Sequence, residues 1–381
     1  RLPRLCPRPS PSLRPCPNLR SCFLSCRADA VCPYGWLIAT FFLFCSAVHA
    51  QQPLPDLTAT ELKLFEIGKA AFSHRFSIEE GLGPLFNERS CAGCHRSPEP
   101  GGDEGLCEHC LVTRATSLSG STLHQRYSIG IERGDLTHCR EELSQELATG
   151  ERRTLRRPLS LSGVGLIEAI PDEAILTLAK HTGPTQGRAN FVNEGGKQRI
   201  GRFGWKAQFA TLESFTTDSL LEEHGITTPL IRADNLSGIK ESVTECDQIS
   251  DPEDRGEQLL ALVNFQKFLK PSASAVKGQG LGLFIKIGCA DCHTPLLRTG
   301  TDPIIPEALR DKEVPLFSDL LLHNIGSDGD RIPQGEAGPS EMRTAPLWNL
   351  STRFPNGPEN PGSLYHNRRY YPNLIAGILG H

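Results

Sequence analysis

Two stretches of the 381-residue chain carry the same pattern, Cys-x-x-Cys-His: Cys91-Ala-Gly-Cys94-His95 and Cys289-Ala-Asp-Cys292-His293. Two thiols separated by two residues can form thioether bonds with the two vinyl groups of one haem, and the histidine that follows becomes the proximal ligand of its iron. The sequence therefore predicts two covalently bound haem c groups. The predicted attachment points are Cys91, Cys94, Cys289 and Cys292, and the predicted proximal ligands are His95 and His293.

Other uses of paired cysteines fit this pattern less well. A zinc ribbon places its two cysteine pairs about 15–20 residues apart, whereas these pairs begin at positions 91 and 289. Zinc would also leave the histidine after each pair unexplained. A structural disulfide or a redox-active dithiol at each pair is the remaining alternative.

The elements around the motifs are predicted to be mainly helical. Thr58 and Glu61 form a capping-box pattern before Leu62-Lys-Leu-Phe-Glu-Ile-Gly68, which predicts a helix start. The segment Leu281-Gly-Leu-Phe-Ile-Lys-Ile-Gly288 repeats this pattern directly before the second motif, which suggests an internal duplication. Further helices are predicted at residues 140–147, 172–180 and 256–270, the last of which ends before Pro271.

The predicted fold class is mainly α, with two cytochrome c-like domains that have long irregular loops and hold one c-type haem each. The first domain is predicted at residues 51–255 and the second at 256–381, after an upstream segment and signal peptide at 1–50. The composition, 38% hydrophobic and 22% charged, is that of a soluble globular protein slightly poor in apolar residues. A large buried cofactor would supply part of the core.

The charge distribution excludes a nucleic-acid partner. The formal net charge is −4, and residues 1–50 hold six Arg and one Asp, which leaves about −9 for residues 51–381. Nucleic-acid binding needs a basic patch.

The amino-terminal segment predicts export. Residues 1–30 are rich in Pro, Arg, Ser and Cys, and we interpret them as sequence upstream of the true start or as a fragment edge. The apolar run Trp36–Val48 ends at a possible cleavage site, because Val48 and Ala50 are small residues at positions −3 and −1, as signal peptidase requires. We expect a mature chain from Gln51 in the periplasm or another extracytoplasmic compartment. The run is short for a membrane span, so membrane association is expected only if the leader stays uncleaved.

Several longer segments resemble the di-haem oxidoreductase family, which is related to bacterial di-haem cytochrome c peroxidases. These segments are residues 81–95, 165–172, 199–206, 288–293, 317–323 and 341–348. The resemblance implies two cytochrome c domains whose haems face an interdomain region, one transferring electrons and the other reacting with peroxide. It implies hydrogen peroxide as the oxidant and a redox protein as the electron donor. Related peroxidases hold a calcium ion between the domains, although no calcium-loop pattern is found here.

The resemblance also suggests ligands on the far side of each iron. In the related peroxidases an axial ligand of the second haem lies about fourteen residues beyond a loop histidine, and this spacing from His366 points to His381. The chain departs from the family here, because Leu364-Tyr-His-Asn-Arg-Arg369 replaces the usual Leu-His-Asp-Gly-Arg. Met342 and His323 are the alternatives for this haem, and His109 is a candidate for the first.

Four further residues are candidates for chemistry near the haems. Glu168 lies in an apolar strip that would raise the pKa of its carboxyl group, so it could shuttle protons during O–O cleavage; alternatively it pairs with Arg199 or Arg202. Both arginines could instead hold haem propionates. Trp205 is either an electron relay between the haems or core packing.

The predicted function is therefore a peroxidase-like oxidoreductase that passes electrons from one haem to a small oxidant at the other. One alternative is a pure electron-transfer cytochrome with both irons fully ligated. The other is a thiol oxidoreductase that uses Cys107 and Cys110, for which disulfide formation is the structural explanation. Cys139 and Cys246 are then the other unassigned pair.

Overall fold

The computed structural model describes residues 52–95, 112–117, 120–124, 127–128, 152–156, 158–183, 185–234, 247, 249–271, 278–348, 364–366 and 369–371. The described residues contain seven α-helices: α1 (Ala59–Ser73), α2 (Cys91–Cys94), α3 (Val164–Glu168), α4 (Asp172–Leu178), α5 (Leu212–His224), α6 (Glu257–Lys267) and α7 (Gln279–Lys286). No helix among them is long and apolar enough to cross a membrane.

Thirteen short strands lie in the same part of the chain: β1 (Leu85–Phe86), β2 (Val112–Ser117), β3 (Gly120–His124), β4 (Tyr127–Ser128), β5 (Arg153–Arg156), β6 (Phe191–Glu194), β7 (Lys197–Ile200), β8 (Leu297–Arg298), β9 (Glu313–Val314), β10 (Leu322–Asn324), β11 (Glu341–Arg343), β12 (Leu364–His366) and β13 (Arg369–Tyr371). They form small antiparallel sheets, the largest of which has the order β3-β2-β5. Helices, irregular segments and small sheets agree with the predicted mainly α class at this coarse level. Two cytochrome c-like domains stay a prediction.

Helix α1 begins where the sequence predicts. The Thr58 hydroxyl accepts a hydrogen bond from the Glu61 amide at 3.2 Å, and the Glu61 carboxylate accepts one from the Thr58 amide at 2.8 Å. These reciprocal bonds satisfy two amides at the start of the helix. The predicted capping box is confirmed.

The core of the amino-terminal part is built where α1 crosses α6. A Cβ on Gly68 would lie 2.2 Å from the Ala261 carbonyl oxygen, so only glycine permits this close approach. Phe65 and Phe72 are buried on the same face and contact the Phe265 ring, with centroids 5.2 and 4.8 Å apart. This pairing places α1, and the first motif beyond it, against a rigid support.

Helix α6 packs on elements that precede it in the chain, namely α1, α3 and α5. The predicted domain boundary before residue 256 stays a prediction, although α6 lies directly after it and contacts the amino-terminal side. The predicted helices at 172–180 and 256–270 are confirmed as α4 and α6. The predicted helix at 140–147 lies outside the described residues.

Helix α7, before the second motif, differs from α1 despite the similar sequence. Among the described residues none of its side chains is buried, and Leu283 and Ile285 are 58% and 54% exposed. The repeated sequence pattern therefore predicts a helix in both halves but not its packing.

The β6–β7 hairpin was not predicted. Its turn consists of Gly195 and Gly196, which both have positive φ, and Glu194 pairs with Lys197 on either side. A Gly-Gly pair is a recognised signal for a two-residue hairpin turn, because both positions require positive φ. The signal was present in the sequence.

Candidate haem-attachment sites

The first motif lies on a single helical turn. Helix α2 spans Cys91–Cys94, and the His95 amide donates to the Cys91 carbonyl at 3.0 Å. Residues three and four apart share one face of a helix, so this turn presents both thiols and the imidazole together. Neither sulfur is in a disulfide.

A cleft opens beside this turn. The space beside the turn is about 930 Å³ when the part open to solvent is included. Its wall includes Cys91, Cys94, His95, Arg156, Trp205, Phe215 and His224. The structure therefore brings the predicted relay residue Trp205 to the same cleft as the first motif.

His224 is the carboxyl-terminal residue of α5 and was not predicted as a site residue. The helix ends there because Gly225 adopts a left-handed conformation with φ 66°, a common helix terminator. The His224 ring is buried, its Nδ1 lies 2.6 Å from the Glu88 carbonyl oxygen, and its Nε2 lies 3.7 Å from Cys91 Sγ. Burial lowers the pKa of His224, and the Glu88 carbonyl only partly offsets this, so the ring is kept neutral.

A buried ion cluster forms another part of the cleft's surroundings. The Asp330 carboxylate accepts from Arg156 Nε at 3.0 Å and lies 3.1 Å from Lys206 Nζ. Lys206 also donates to the Glu341 carbonyl at 2.6 Å. Burial lowers the pKa of Lys206, an effect that Asp330 opposes. The cluster ties the cleft wall at Arg156 to a loop of the carboxyl-terminal part.

The second motif lies on a 3-10 turn at Cys289–Asp291 that follows α7, and both of its sulfurs are also free of disulfides. His293 Nδ1 lies 2.8 Å from the Phe317 carbonyl oxygen. Because a carbonyl only accepts, Nδ1 donates the hydrogen in this bond. Metal-binding histidines are commonly oriented by this kind of bond.

The loop that supplies this carbonyl is strained. Phe317 and Leu320 have φ values of 52° and 61°, a left-handed conformation that bulky residues rarely adopt. The Asp319 amide holds the loop against the motif by donating to the Cys292 carbonyl at 3.0 Å. The second site is therefore shaped by a loop, whereas helices shape the first.

His323 lies against the second motif. Its Nδ1 is 3.6 Å from Cys292 Sγ, and its Nε2 is 2.8 Å from Asp319 Oδ2. Burial alone would lower the pKa of His323, but the hydrogen bonds to Asp319 and the Cys292 sulfur outweigh burial and raise it to about 10. Both ring nitrogens are thus engaged, which favours a role beside the cysteine over the predicted role as iron ligand.

Met342 lies directly opposite His323 in the β10–β11 pair and is buried. Opposed residues of an antiparallel pair point to the same face, so Met342 is placed on the His323 side of the hairpin. Two of the three predicted candidates for the distal ligand of the second haem, His323 and Met342, are thus neighbours. His381 and the first-haem candidate His109 lie outside the described residues, as do Cys107, Cys110, Cys139 and Cys246.

Trp205 connects the two sites through the backbone. Its carbonyl accepts from the Arg343 amide at 3.0 Å, and the Gly204 carbonyl accepts from Arg343 Nε at 2.8 Å. Arg343 follows Met342 on β11. The segment that lines the first cleft is therefore hydrogen-bonded to the hairpin beside the second motif.

The structure gives Glu168 and Arg202 structural partners. Glu168 Oε1 accepts from the Leu212 amide at 2.8 Å, at the start of α5, and Glu168 Oε2 lies 3.8 Å from Lys267 Nζ. Arg202 is buried and pairs with Asp172. Its guanidinium also donates to backbone carbonyls, those of Ile167, Glu168, Ile170 and Ile200.

Glu168 and Arg202 are not part of the wall of the first cleft. Their side chains do not pair with each other as the alternative predicted, since Glu168 contacts Leu212 and Lys267 and Arg202 pairs with Asp172. Arg199 lies on β7 and is partly exposed. The proton-shuttle role of Glu168 and the propionate role of the arginines stay predictions.

The donor set at both sites fits covalent haem. Each motif offers two sulfurs that are not in disulfides and one histidine, and a hydrogen bond from Nδ1 to the Phe317 carbonyl orients His293. The first motif adds an adjoining cleft. These are the groups that thioether attachment and proximal ligation require.

A family model for di-haem oxidoreductase, putative peroxidase, matches residues 137–369. The chain belongs to this family. The match covers the second motif, His224, His323 and Met342, and it begins after the first motif. No curated protein and no solved structure matches the chain.

Three residues lie at the two motifs without having been predicted: His224, Arg156 and Asp319. Only Asp319 carries a local sequence signal, since Asp319 and His323 are four residues apart in a segment that resembles the family. His224 and Arg156 reach the cleft from positions far from the first motif, and no local spacing relates them to it.

Proposed function

We propose that this protein is an exported di-haem c-type cytochrome that acts as a peroxidase-like oxidoreductase. Electrons from a redox protein would enter at one haem and reach a small oxidant, hydrogen peroxide by default, at the other. The observation that carries the proposal is the presence, in a member of the di-haem oxidoreductase family, of two Cys-x-x-Cys-His motifs whose cysteines are not in disulfides, one of them beside a cleft.

In this proposal the residues of the chain hold and orient the cofactors. The sulfurs of Cys91, Cys94, Cys289 and Cys292 would tether the haems, and His95 and His293 would ligate the irons. Haem, when bound, would supply one-electron redox chemistry with a small oxidant. The hydrogen bond between Nδ1 of His293 and the Phe317 carbonyl would orient the ring for ligation.

Trp205 is proposed to link the sites. It lines the first cleft, and its backbone is hydrogen-bonded to Arg343, next to Met342 on the second-site hairpin. An aromatic ring in this position would shorten the distance that electrons must cross through saturated side chains. The contacts that support this proposal are those between the 204–206 segment and β11.

A pure electron-transfer cytochrome is the second candidate. The observation that favours it is the placement of Met342 opposite His323 in the hairpin beside Cys292, since methionine is a standard axial ligand in cytochromes c. If both irons were closed by protein ligands, no position would remain for an oxidant.

The test is peroxide-driven oxidation of a reduced donor by the purified holoprotein, measured after reductive activation together with the spin state of each iron. We expect turnover and a high-spin fraction at one haem. Trp205→Phe should lower turnover about tenfold, as removal of a positioned group does, while both haem spectra stay unchanged. Phe191→Leu, at an exposed site on β6, is the control. Two low-spin irons and no turnover would leave the electron carrier as the function.

A further inference from the structure

The backbone around Trp205 is held by a buried arginine of the β10–β11 hairpin. Arg343 lies on β11, and its Nε donates to the Gly204 carbonyl at 2.8 Å. The Arg343 amide donates to the Trp205 carbonyl at 3.0 Å, and Arg343 Nη1 donates to the Thr344 carbonyl at 3.1 Å. One residue therefore binds two successive carbonyls of the segment that lines the first cleft.

Arg343 is a buried cation that hydrogen-bonds to carbonyls and, among the described residues, forms no ion pair. Burial lowers the pKa of its guanidinium to about 10, and the charge of Asp319 opposes this effect. The group therefore stays charged at neutral pH. Burying a charge without an ion-pair partner is unfavourable for folding, and an apolar side chain would avoid this cost. The hydrogen bonds to the Trp205 segment are what the arginine adds.

The Trp205 ring depends on this backbone for its position. Trp205 is only partly buried, and it lines the cleft beside the first motif. A side chain at a cleft wall has fewer packing contacts than a core residue, so its backbone must be fixed if the ring is to keep one place. The next residue is also anchored, because Lys206 Nζ donates to the Gly338 and Glu341 carbonyls at 2.9 and 2.6 Å.

Further hydrogen bonds join β11 to the second motif. The Ser318 hydroxyl donates to the carbonyl of Thr344, the residue after β11, at 2.7 Å. The next residue of that loop, Asp319, donates its amide to the Cys292 carbonyl at 3.0 Å. The Trp205 segment is thus connected to the second motif through a continuous series of packed and hydrogen-bonded residues, the kind of network that can carry coupling between two sites.

We propose that Arg343 is a positioning residue for electron transfer between the haems, because it fixes Trp205 against the β10–β11 hairpin. This inference rests on the proposed function, in which Trp205 links the two sites, and adds the residue on which that link depends. The transfer moves one electron from a haem that becomes oxidised to a haem that becomes reduced, and no covalent bond forms or breaks. The redox-protein donor of the proposed function supplies this electron.

The experiment measures the rate of electron transfer between the haems of the purified holoprotein after a photoreduced flavin supplies one electron. Arg343→Gln should lower this rate about tenfold, as misplacement of a positioned group does, and Trp205→Phe should lower it by a similar factor. The double variant should also be about tenfold slower, and not a hundredfold, because both changes remove the same link. Arg255→Gln, at an exposed arginine, is the matched control and should leave the rate unchanged.

Two further measurements separate positioning from the charge of Arg343. Arg343→Lys keeps the charge but lacks the planar fork that binds two carbonyls at once. It should therefore be slowed like Arg343→Gln while both midpoint potentials stay at their wild-type values, and it keeps the cycle measurable should Arg343→Gln not fold. Hydrogen exchange of the holoprotein, followed by mass spectrometry, should be faster in both variants for the peptide that contains the residue 343 amide, and unchanged in the control.

A wild-type rate in both Arg343 variants would overturn the inference, and so would a double variant in which the two losses multiply. A changed spin state of the second haem in Arg343→Lys would also overturn it, because the effect would then arise at the iron and not at Trp205. A wild-type holoprotein without electron transfer between its haems, or a Trp205→Phe variant with the wild-type rate, would instead contradict the proposed function.

Discussion

The two Cys-x-x-Cys-His sites share a motif but are supported in different ways. The first lies on a helical turn backed by the α1–α6 crossing, and its surroundings include buried aromatic rings and the ion cluster around Asp330. The second follows the exposed helix α7 and is shaped by a strained loop, residues 316–321, and by the β10–β11 hairpin.

This difference teaches that the motif itself needs only a short turn and a properly oriented histidine. The His95 amide and the His293 amide both donate to the carbonyl of the first cysteine of their motif, at 3.0 and 2.9 Å. Everything beyond that turn is built separately in each half. We therefore expect the first site to depend on a packed core in a way that the second does not.

The largest change in unfolding free energy is expected at the buried ion cluster of Arg156, Lys206 and Asp330. Asp330→Asn leaves the cations Arg156 and Lys206 without their shared carboxylate, and removing one partner from a buried network costs about 3–5 kcal/mol. Chemical denaturation should show this loss of unfolding free energy. Asp311→Asn, which breaks the exposed pair with Arg298, is the control and should change little. An equal response of the two variants would contradict a buried cluster.

Glycine-to-alanine substitutions in α1 and α7 should change the unfolding free energy in opposite directions, and by less than the loss of Asp330. Gly68→Ala places a Cβ 2.2 Å from the Ala261 carbonyl oxygen, so α1 and α6 must move apart at a cost of about 1–3 kcal/mol. In α7, a Cβ at Gly282 meets no described atom within 4 Å. Gly282→Ala should therefore stabilise by about 0.5–1 kcal/mol, because alanine favours the helix. Thermal unfolding measures both changes. A destabilising Gly282→Ala would show that α7 is packed as tightly as α1.

The smallest effect on stability concerns its pH dependence and a cluster of three aspartates. Asp234, Asp247 and Asp251 have carboxylate oxygens within 4.8 Å of one another. Burial, followed by the charges of Asp251, Asp247 and Glu253, raises the pKa of Asp234 to about 7. A carboxyl group with a raised pKa contributes stability at low pH, and this is lost as the pH rises through about 7.

The unfolding temperature of the wild type should therefore fall between pH 5 and pH 8 by more than that of Asp234→Asn. Over this pH range the wild type should lose about 1 kcal/mol more unfolding free energy than Asp234→Asn, after allowance for solvent screening. Glu307→Gln, at an exposed position, is the control and should follow the wild type. Parallel pH profiles for all three proteins would show that Asp234 titrates normally.

The sequence alone determined the features that depend on residues two to four positions apart. The two motifs, the capping box at Thr58 and Glu61, and the helices α4 and α6 follow from local spacing, because a helical turn or a cap involves only near neighbours. The Gly195-Gly196 turn was readable in the same way. The apolar segment before Glu168 was likewise readable, and its residues Val164–Ile167 are buried in the structure.

Only the tertiary structure decided which groups Glu168 contacts and which residues surround each Cys-x-x-Cys-His motif. The Glu168 carboxylate caps the start of α5, a contact 44 positions away, and His224 meets Cys91 across 133 positions. Likewise Asp330 joins Arg156 across 174 positions. Such contacts arise when separate elements pack to bury their apolar faces, and no local pattern encodes which polar side chains then face each other.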